Sequence, residues 1–197
     1  MLRLGAKGPD VLAVQQSLVE LGYWIGRPDG KYGTATGQAV TALQKVAGIP
    51  RDGVVGPKTR AVLDRGVRPQ ARSTGGRMIE IQLDRQVLLV VDGGQVRLVL
   101  DVSTGSGQWY DRPNGGRGHA VTPPGRFSVS RGVDGWDKSP LGRLYRPRYF
   151  NGGIAVHGYP SVPAFPASHG CVRVDLSAMD MLWKDDVMPL GQEVWVY

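Results

Sequence analysis

Residues 153–158 and 168–174 read Gly153-Ile154-Ala155-Val156-His157-Gly158 and Ser168-His169-Gly170-Cys171-Val172-Arg173-Val174. Side chains alternate along a β-strand, so Val172 and Val174 take one face of the second stretch while Cys171 and Arg173 take the other. The same alternation turns Ile154 and Val156 inward and leaves His157 on the open face. If the two strands are neighbours, the valines share a core and an imidazole meets a thiol on the surface above it.

Cys171 is the only cysteine among 197 residues, so no internal disulfide can form and stability must come from burial. A free thiol titrates near about 8.5 and reacts as the thiolate, a form that nearby His⁺ or Arg favours. Arg173, His157 and His169 are therefore expected to activate Cys171. Gly170 has no side chain, and its N–H, with that of Cys171, is expected to approach a tetrahedral oxyanion. Ser168 either closes a turn or touches substrate. His119 reads as a structural histidine. A zinc half-site around His-Gly-Cys finds no Cys-x-x-Cys or His-Glu-x-x-His spacing beside it, so neither metal nor cofactor is expected.

Outward from this motif, the chain from Met78 on alternates with period two. Met78 to Leu83, Gln86 to Val91, Gln95 to Val102, Arg126 to Ser130 and Glu193 to Tyr197 are strand candidates, with Asp92-Gly93-Gly94 as a hairpin turn. Leu176 to Lys184 is helical, with Asp175 as its N-cap.

The first third is different. Residues 29–40 and 52–63 both fit Asp-Gly-x-x-Gly-x-x-Thr-x-x-Ala-Val, displaced by 23 residues, which marks an internal repeat. Val11, Val14, Leu18 and Leu21, then Ala39, Leu43 and Val46, recur at helical spacing. Three short helices joined by Asp-Gly turns are expected, ending near Asp64. Residues 67–77 lack periodicity and hold Pro69 and Ser73-Thr74-Gly75-Gly76, the composition of a flexible linker. The expected class is α+β: a helical bundle over 1–66, a linker over 67–77 and a β-rich domain with one or two accessory helices over 78–197.

The net charge is +7, with Lys+Arg against Asp+Glu at 9 and 5 in residues 1–66, 3 and 0 in 67–77, and 12 and 12 in 78–197. No Lys/Arg cluster interleaves with aromatics, so nucleic acid is not an expected partner. No apolar run approaches the roughly 20 residues that span a bilayer. Met1-Leu2-Arg3-Leu4-Gly5 does not read as a secretory leader. A monomer is expected.

The two quoted motifs, together with Val102-Ser103-Thr104-Gly105, Thr122-Pro123-Pro124-Gly125-Arg126-Phe127 and the run from Ser139-Pro140-Leu141-Gly142 to Tyr149-Phe150, resemble the YkuD-type L,D-transpeptidase catalytic domain. Val14-Gln15-Gln16-Ser17-Leu18 and Leu21-Gly22-Tyr23 resemble the small helical peptidoglycan-binding domain. The resemblance implies a cysteine that attacks the third residue of a stem tetrapeptide, expels the terminal D-alanine and passes the acyl group from a thioester to an amine of a second stem. Carried over by position, Cys171 is the nucleophile, His157 its base oriented through the carbonyl of Gly158, and His169 and Gly170 shape the oxyanion site. Arg173, Ser168, Gly158 and Tyr149 are the expected substrate contacts. Carbapenems acylate the same thiol in many members of that family.

Ten residues separate His157 from Ser168, a short interval for the family, and Arg173 stands where the usual pattern has Asn. Arg173 is either an anchor for a carboxylate or peptide, or a structural ion-pair partner. Peptidoglycan is the implied partner, and an extracytoplasmic, wall-facing or periplasmic location follows from that substrate alone. Removal of residues 1–66 is expected to weaken wall binding. An L,D-carboxypeptidase using the same thiol and a catalytically idle wall-binding protein are the competing readings.

Overall fold

The computed structural model describes all residues 1–197. In chain order the elements are α1 (Pro9–Glu20), α2 (Thr34–Ala47), α3 (Pro57–Asp64), β1 (Arg77–Gln82), β2 (Val87–Asp92), β3 (Gln95–Asp101), β4 (Trp109–Asp111), β5 (Arg117–His119), β6 (Gly125–Ser128), β7 (Arg131–Gly132), β8 (Trp136–Ser139), β9 (Gly142–Asn151), β10 (Ile154–Gly158), β11 (Val172–Val174), α4 (Leu176–Lys184) and β12 (Glu193–Val196). The α+β class holds, with helices first and a β-rich body after.

The sequence repeat is a structural one. Gln15 on α1 donates its amide to Asp29 Oδ1, Lys31 O and Thr36 Oγ1, and Gln44 on α2 does the same to Asp52 Oδ1, Val54 O and Thr59 Oγ1. Each Asp-Gly turn is thus closed by a glutamine amide from the preceding helix, which satisfies buried turn groups that water cannot reach. Pro9 and Pro57 sit in the first turns of α1 and α3, where their missing N–H costs nothing.

Two five-stranded sheets build the second unit. One has the order β3-β2-β1-β12-β6; the other runs β11-β10-β9-β7, with β8 also pairing with β9. Ile79, Ile81, Leu88 and Leu100 of the first sheet face Phe150, Val156, Val172 and Val174 of the second, and Ala178, Met179 and Leu182 of α4 close this core. Asp175 caps α4 by accepting from Ser177 N at 2.9 Å. Leu176 and Met179 therefore press α4 onto β10 beneath the site.

The other face of the first sheet is equally apolar. Met78, Val87, Leu89, Val91, Val96 and Val99 share one core with Val11, Val14, Leu18, Leu43 and Val62 of the helices. Gly22 O accepts from Val99 N at 2.8 Å and Trp24 N donates to Val99 O at 3.1 Å, so the segment after α1 covers the open edge of β3. Lys45 of α2 enters the seam and meets Asp101 at 2.6 Å, both side chains at 0–1% exposure.

The connector corrects the expectation of a flexible linker. Val67 O accepts from the Tyr23 hydroxyl, Arg68 donates to Val96 O, and the N–H groups of Arg72 and Ser73 converge on the buried Glu80 carboxylate, which also accepts from the Ser73 and Tyr197 hydroxyls. Hydroxyl and backbone donors, not charges, stabilise that carboxylate inside the protein. They also fasten the connector along its length.

Candidate active site

β10 and β11 are parallel neighbours, with Val156 opposite Val172 and His157 opposite Arg173. The expected adjacency is therefore present. Cys171 and His157 line a single open cleft of about 960 Å³, walled on one side by the β4–β5 hairpin and on the other by β8 and β9. The strict alternation expected for Ile154 fails: the register of β10 on β9 shifts between Ile154 and Ala155, and Ile154 joins His157 in the cleft wall.

His157 is only 4% exposed. Its Nδ1 lies 2.9 Å from Gly158 O. A carbonyl can only accept, so Nδ1 carries the ring proton and Nε2 keeps its lone pair. Burial pushes the imidazole down to about 4, with Arg173 adding to the effect against the Gly158 hydrogen bond. The ring is therefore neutral at neutral pH, with a lone pair able to take a proton.

The thiol departs from the expectation of strong activation. Burial pushes Cys171 up, and the Ala155 N–H and the Arg173 charge only partly offset it. Its Sγ lies 3.7 Å from Gly153 O. The resting pair is a neutral thiol with a neutral imidazole, because desolvation penalises both ions more than the neighbouring charge helps one of them.

The turn that presents Cys171 is closed from within. Ser168 Oγ donates to Cys171 O at 2.5 Å and accepts from Gly170 N at 3.0 Å, with Ser168 buried. Of the two roles open to Ser168, turn closure is the one its hydroxyl performs. The Gly170 N–H is occupied by this bond, so the oxyanion pairing expected of it is not available in this state, whereas the Cys171 N–H has no acceptor within the protein. Gly170 itself has φ +138°, and a Cβ there would stand 2.9 Å from Val121 O. Thr122 Oγ1 donates to Gly170 O at 2.6 Å, and Thr104 O accepts from the N–H groups of Ala167 and Ser168. The Thr104 and Thr122 segments thus hold the cysteine turn in place, a role that no spacing in the sequence could reveal.

His169 is exposed at the cleft rim, its ring 4.6 Å from Tyr110 in an edge-on contact. Tyr149 lines the cleft, donates to Asp137 Oδ2 at 2.8 Å and lies under the Arg131 guanidinium at 3.8 Å. Gly158 is a correction: it is buried, does not reach the cleft, and acts through its carbonyl on His157. A Cβ there would meet the Tyr145 ring at 2.8 Å and Met179 at 3.1 Å. Arg173 pairs its backbone with Ser103 in both directions and stacks on Tyr159 at 4.2 Å. No carboxylate lies within ion-pair distance of it, and its Nε is buried without a partner. The ion-pair role is thereby removed. His119, read as structural, lines the cleft with its ring stacked on Trp109 and its Nε2 2.9 Å from Gly107 O.

A helical repeat unit is thus fused to a two-sheet domain that holds a cysteine and a buried histidine in one cleft, and each part matches a known family. Residues 7–63 match the model of a peptidoglycan binding domain, and residues 76–196 match that of the L,D-transpeptidase catalytic domain, YkuD. The chain belongs to the YkuD L,D-transpeptidase family. It is similar to an L,D-transpeptidase structure from Xylanimonas cellulosilytica, residues 123–326, with 50% identity, TM-score 0.96, and coverage of 100% of this chain and 97% of that one. An L,D-transpeptidase from Stackebrandtia nassauensis shares the fold at 24% identity and TM-score 0.55, over 100% of this chain and 95% of that one. Among curated proteins, the N-acetylmuramoyl-L-alanine amidase CwlL of Bacillus licheniformis is 40% identical over 80 residues, 39% of this chain. The chain spans about a quarter of the length of the curated relatives it matches first, 22% of CwlL and 26% of a Bacillus cereus spore cortex-lytic enzyme. No helix is long and apolar enough to cross a membrane.

Proposed function

We propose that the protein crosslinks peptidoglycan stem peptides through a thioester on Cys171, acting outside the cytoplasm on the wall to which its helical module binds. The observation that carries this reading is the sharing of one cleft by Cys171 and a neutral His157 whose Nδ1–H is held by Gly158 O. Nε2 is then free to take the thiol proton as the sulfur attacks the donor carbonyl. The S–C bond forms, the Cys171 N–H receives the developing oxyanion, and the proton passes from Nε2 to the amine of the departing D-alanine as the C–N bond breaks. An acceptor amine next attacks the thioester, His157 takes its proton, the C–S bond breaks, and the departing sulfur recovers a proton from Nε2, which restores the neutral pair. His169 and Tyr149 bound the space in which the two stems meet, and Arg173 anchors the donor.

Neutral reactants suit this chemistry. A permanent ion pair at these partly desolvated groups would have to repay its desolvation before any substrate arrived, whereas proton transfer coupled to attack places charge only where the acyl group can disperse it.

Intact mass after incubation with a tetrapeptide donor tests the reading. The expected product is an adduct on Cys171 equal to the donor minus D-alanine, discharged to a crosslinked peptide when an acceptor amine is added. Cys171→Ala and His157→Ala are expected to abolish it while both proteins still pellet with insoluble sacculi. Turnover by Cys171→Ala at the wild-type rate would end the thiol mechanism, and discharge to water alone with acceptor present would make the enzyme a carboxypeptidase.

A further inference from the structure

The domain from Met78 onward is electrically balanced, with 12 basic and 12 acidic residues. Its cleft is not. Arg112, Arg131, Lys138, Arg143 and Arg173 line it, against Asp137 as the one carboxylate. Asp137 is already engaged, accepting from the Tyr149 hydroxyl at 2.8 Å and lying 3.5 Å from Arg131. The other four cations have no carboxylate within ion-pair distance.

One contact is diagnostic. Lys138 and Arg143 are direct cross-strand partners in the β8–β9 ladder. Like charges placed opposite each other destabilise an antiparallel pair, and the ladder's one acidic residue, Asp137, is already engaged with Tyr149 and Arg131. Arg143 instead lies 4.9 Å over the Trp136 ring. Facing them across the cleft, Arg112 stands at the tip of the β4–β5 hairpin, and Arg173, with its unpartnered Nε, lies in the floor beside Cys171. A like-charge pair at a cleft wall, eased inside the protein only by the Trp136 ring, is the kind of local conflict that a bound anion relieves.

Resting on the acyl-transfer reading above, we infer that the cleft selects donor peptides whose side carboxylates are free, and discriminates against stems in which those carboxylates are amidated. A stem peptide lies extended in such a cleft with its terminal residue at Cys171, so carboxylates along its length fall between the Lys138–Arg143 wall and Arg112. Each exposed pair is individually weak. Four cations acting on one bound anion in a cleft that focuses their field add up, chiefly in the rate of productive capture.

The test uses the full chain and two synthetic tetrapeptide donors identical except that the side carboxylates are free acids in one and primary amides in the other, both keeping the terminal D-alanine carboxylate. The free-acid donor is expected to have a kcat/KM about tenfold higher at low salt, with the ratio shrinking as ionic strength passes roughly 0.1 M and the Debye length falls to about 10 Å. The double variant Lys138→Gln, Arg143→Gln is expected to lose most of that preference, through a larger fall in kcat/KM for the free-acid donor than for the amide donor, while its alkylation by iodoacetamide stays unchanged. Equal or better turnover of the amide donor by the wild type, or a preference that survives in the double variant, overturns the inference and leaves the acyl-transfer reading intact. If folded wild-type protein alkylates at Cys171 yet acylates with neither donor, both fall together.

Discussion

Lys45 of the helical module and Asp101 at the end of β3 form an ion pair of 2.6 Å that no solvent reaches, and Lys45 Nζ also donates to Val102 O and Gln86 O at 2.8 and 3.2 Å. Burial alone would drive both groups toward neutrality, lowering Lys45 and raising Asp101, and each offsets the other's penalty. Ser103, which follows Val102, pairs with Arg173. The carbonyl of Val102 that holds Lys45 is therefore one residue away from a ladder contact to the cysteine strand.

Removing one member of this pair leaves the other charge stranded. Lys45→Met is expected to cost about 3–5 kcal/mol, or roughly 6–20 °C of melting temperature for a chain of this size. Lys45→Met with Asp101→Leu should recover most of it. Thermal denaturation followed by circular dichroism reads both, and equal melting of the single variant and wild type would show the seam to be inessential.

Truncation to residues 78–197 exposes Met78, Val87, Leu89, Val91 and Val99 together. At about 1.5–3 kcal/mol for each such side chain, the loss matches or exceeds the roughly 5–15 kcal/mol that holds a domain folded. The truncated chain is therefore expected to aggregate or to bind hydrophobic dyes, instead of losing wall binding alone. A soluble, sharply melting fragment with intact donor acylation would contradict this.

Cysteine alkylation should reveal the neutral resting pair. With the thiol raised and His157 at about 4, the iodoacetamide rate is expected to climb with pH beyond the ordinary thiol range of about 8.5. A flat rate across neutral pH would instead indicate a preformed thiolate–imidazolium pair.

The same histidine sets a stability window. An unfolded His157 titrates near about 6.5 and the native one near 4, so between these values the unfolded chain takes up a proton that the native state refuses. Its contribution is complete above about 6.5 and is lost as pH falls toward 4. His157→Gln is expected to flatten that part of the stability profile, measured by urea denaturation at a series of pH values.

Ser168→Ala deletes two hydrogen bonds inside the cysteine turn and leaves the Gly170 N–H and Cys171 O without their partner. A loss of about 1–3 kcal/mol in stability is expected, with kcat falling more than KM rises because the nucleophile, not the binding surface, is displaced. Ser168→Thr, which keeps the hydroxyl, should rescue kcat. A rise in KM with kcat unchanged would return Ser168 to substrate contact.

Much of this was legible in the residues. The Asp-Gly repeat, the first three strands and the Asp175-capped helix follow from spacing and alternation, whereas the glutamines that close the repeat's turns carry no such signal, and the meeting of His157 with Cys171 depends on a strand adjacency that alternation does not give. The docking of the module was also written there: Val87-Leu88-Leu89-Val90-Val91 is a continuous apolar run, the pattern of a strand buried on both faces, and reading it as half-buried left the helices without a partner. Other features had no local signal. β9, ten residues long, contains Pro147 and a positive φ at Arg146, and its arginines stack on Trp183, so neither period nor composition marks it as a strand. The thiol's raised titration has no signal in its sequence neighbours, which are basic, because it comes from partial burial by residues distant in the chain. The cationic cleft escaped notice because its members come from separate segments whose overall charge cancels.

The Gly22–Trp24 segment laid along β3 has a mechanical meaning for the enzyme proposed above. With the sheet edge sealed by the module's own backbone, no joint remains about which the two halves could swing. The anchor point on the wall and the reactive sulfur then keep a constant spacing and angle, like the jaws of a locked caliper. Only those stems that the polymer's own lattice presents at that separation are within reach.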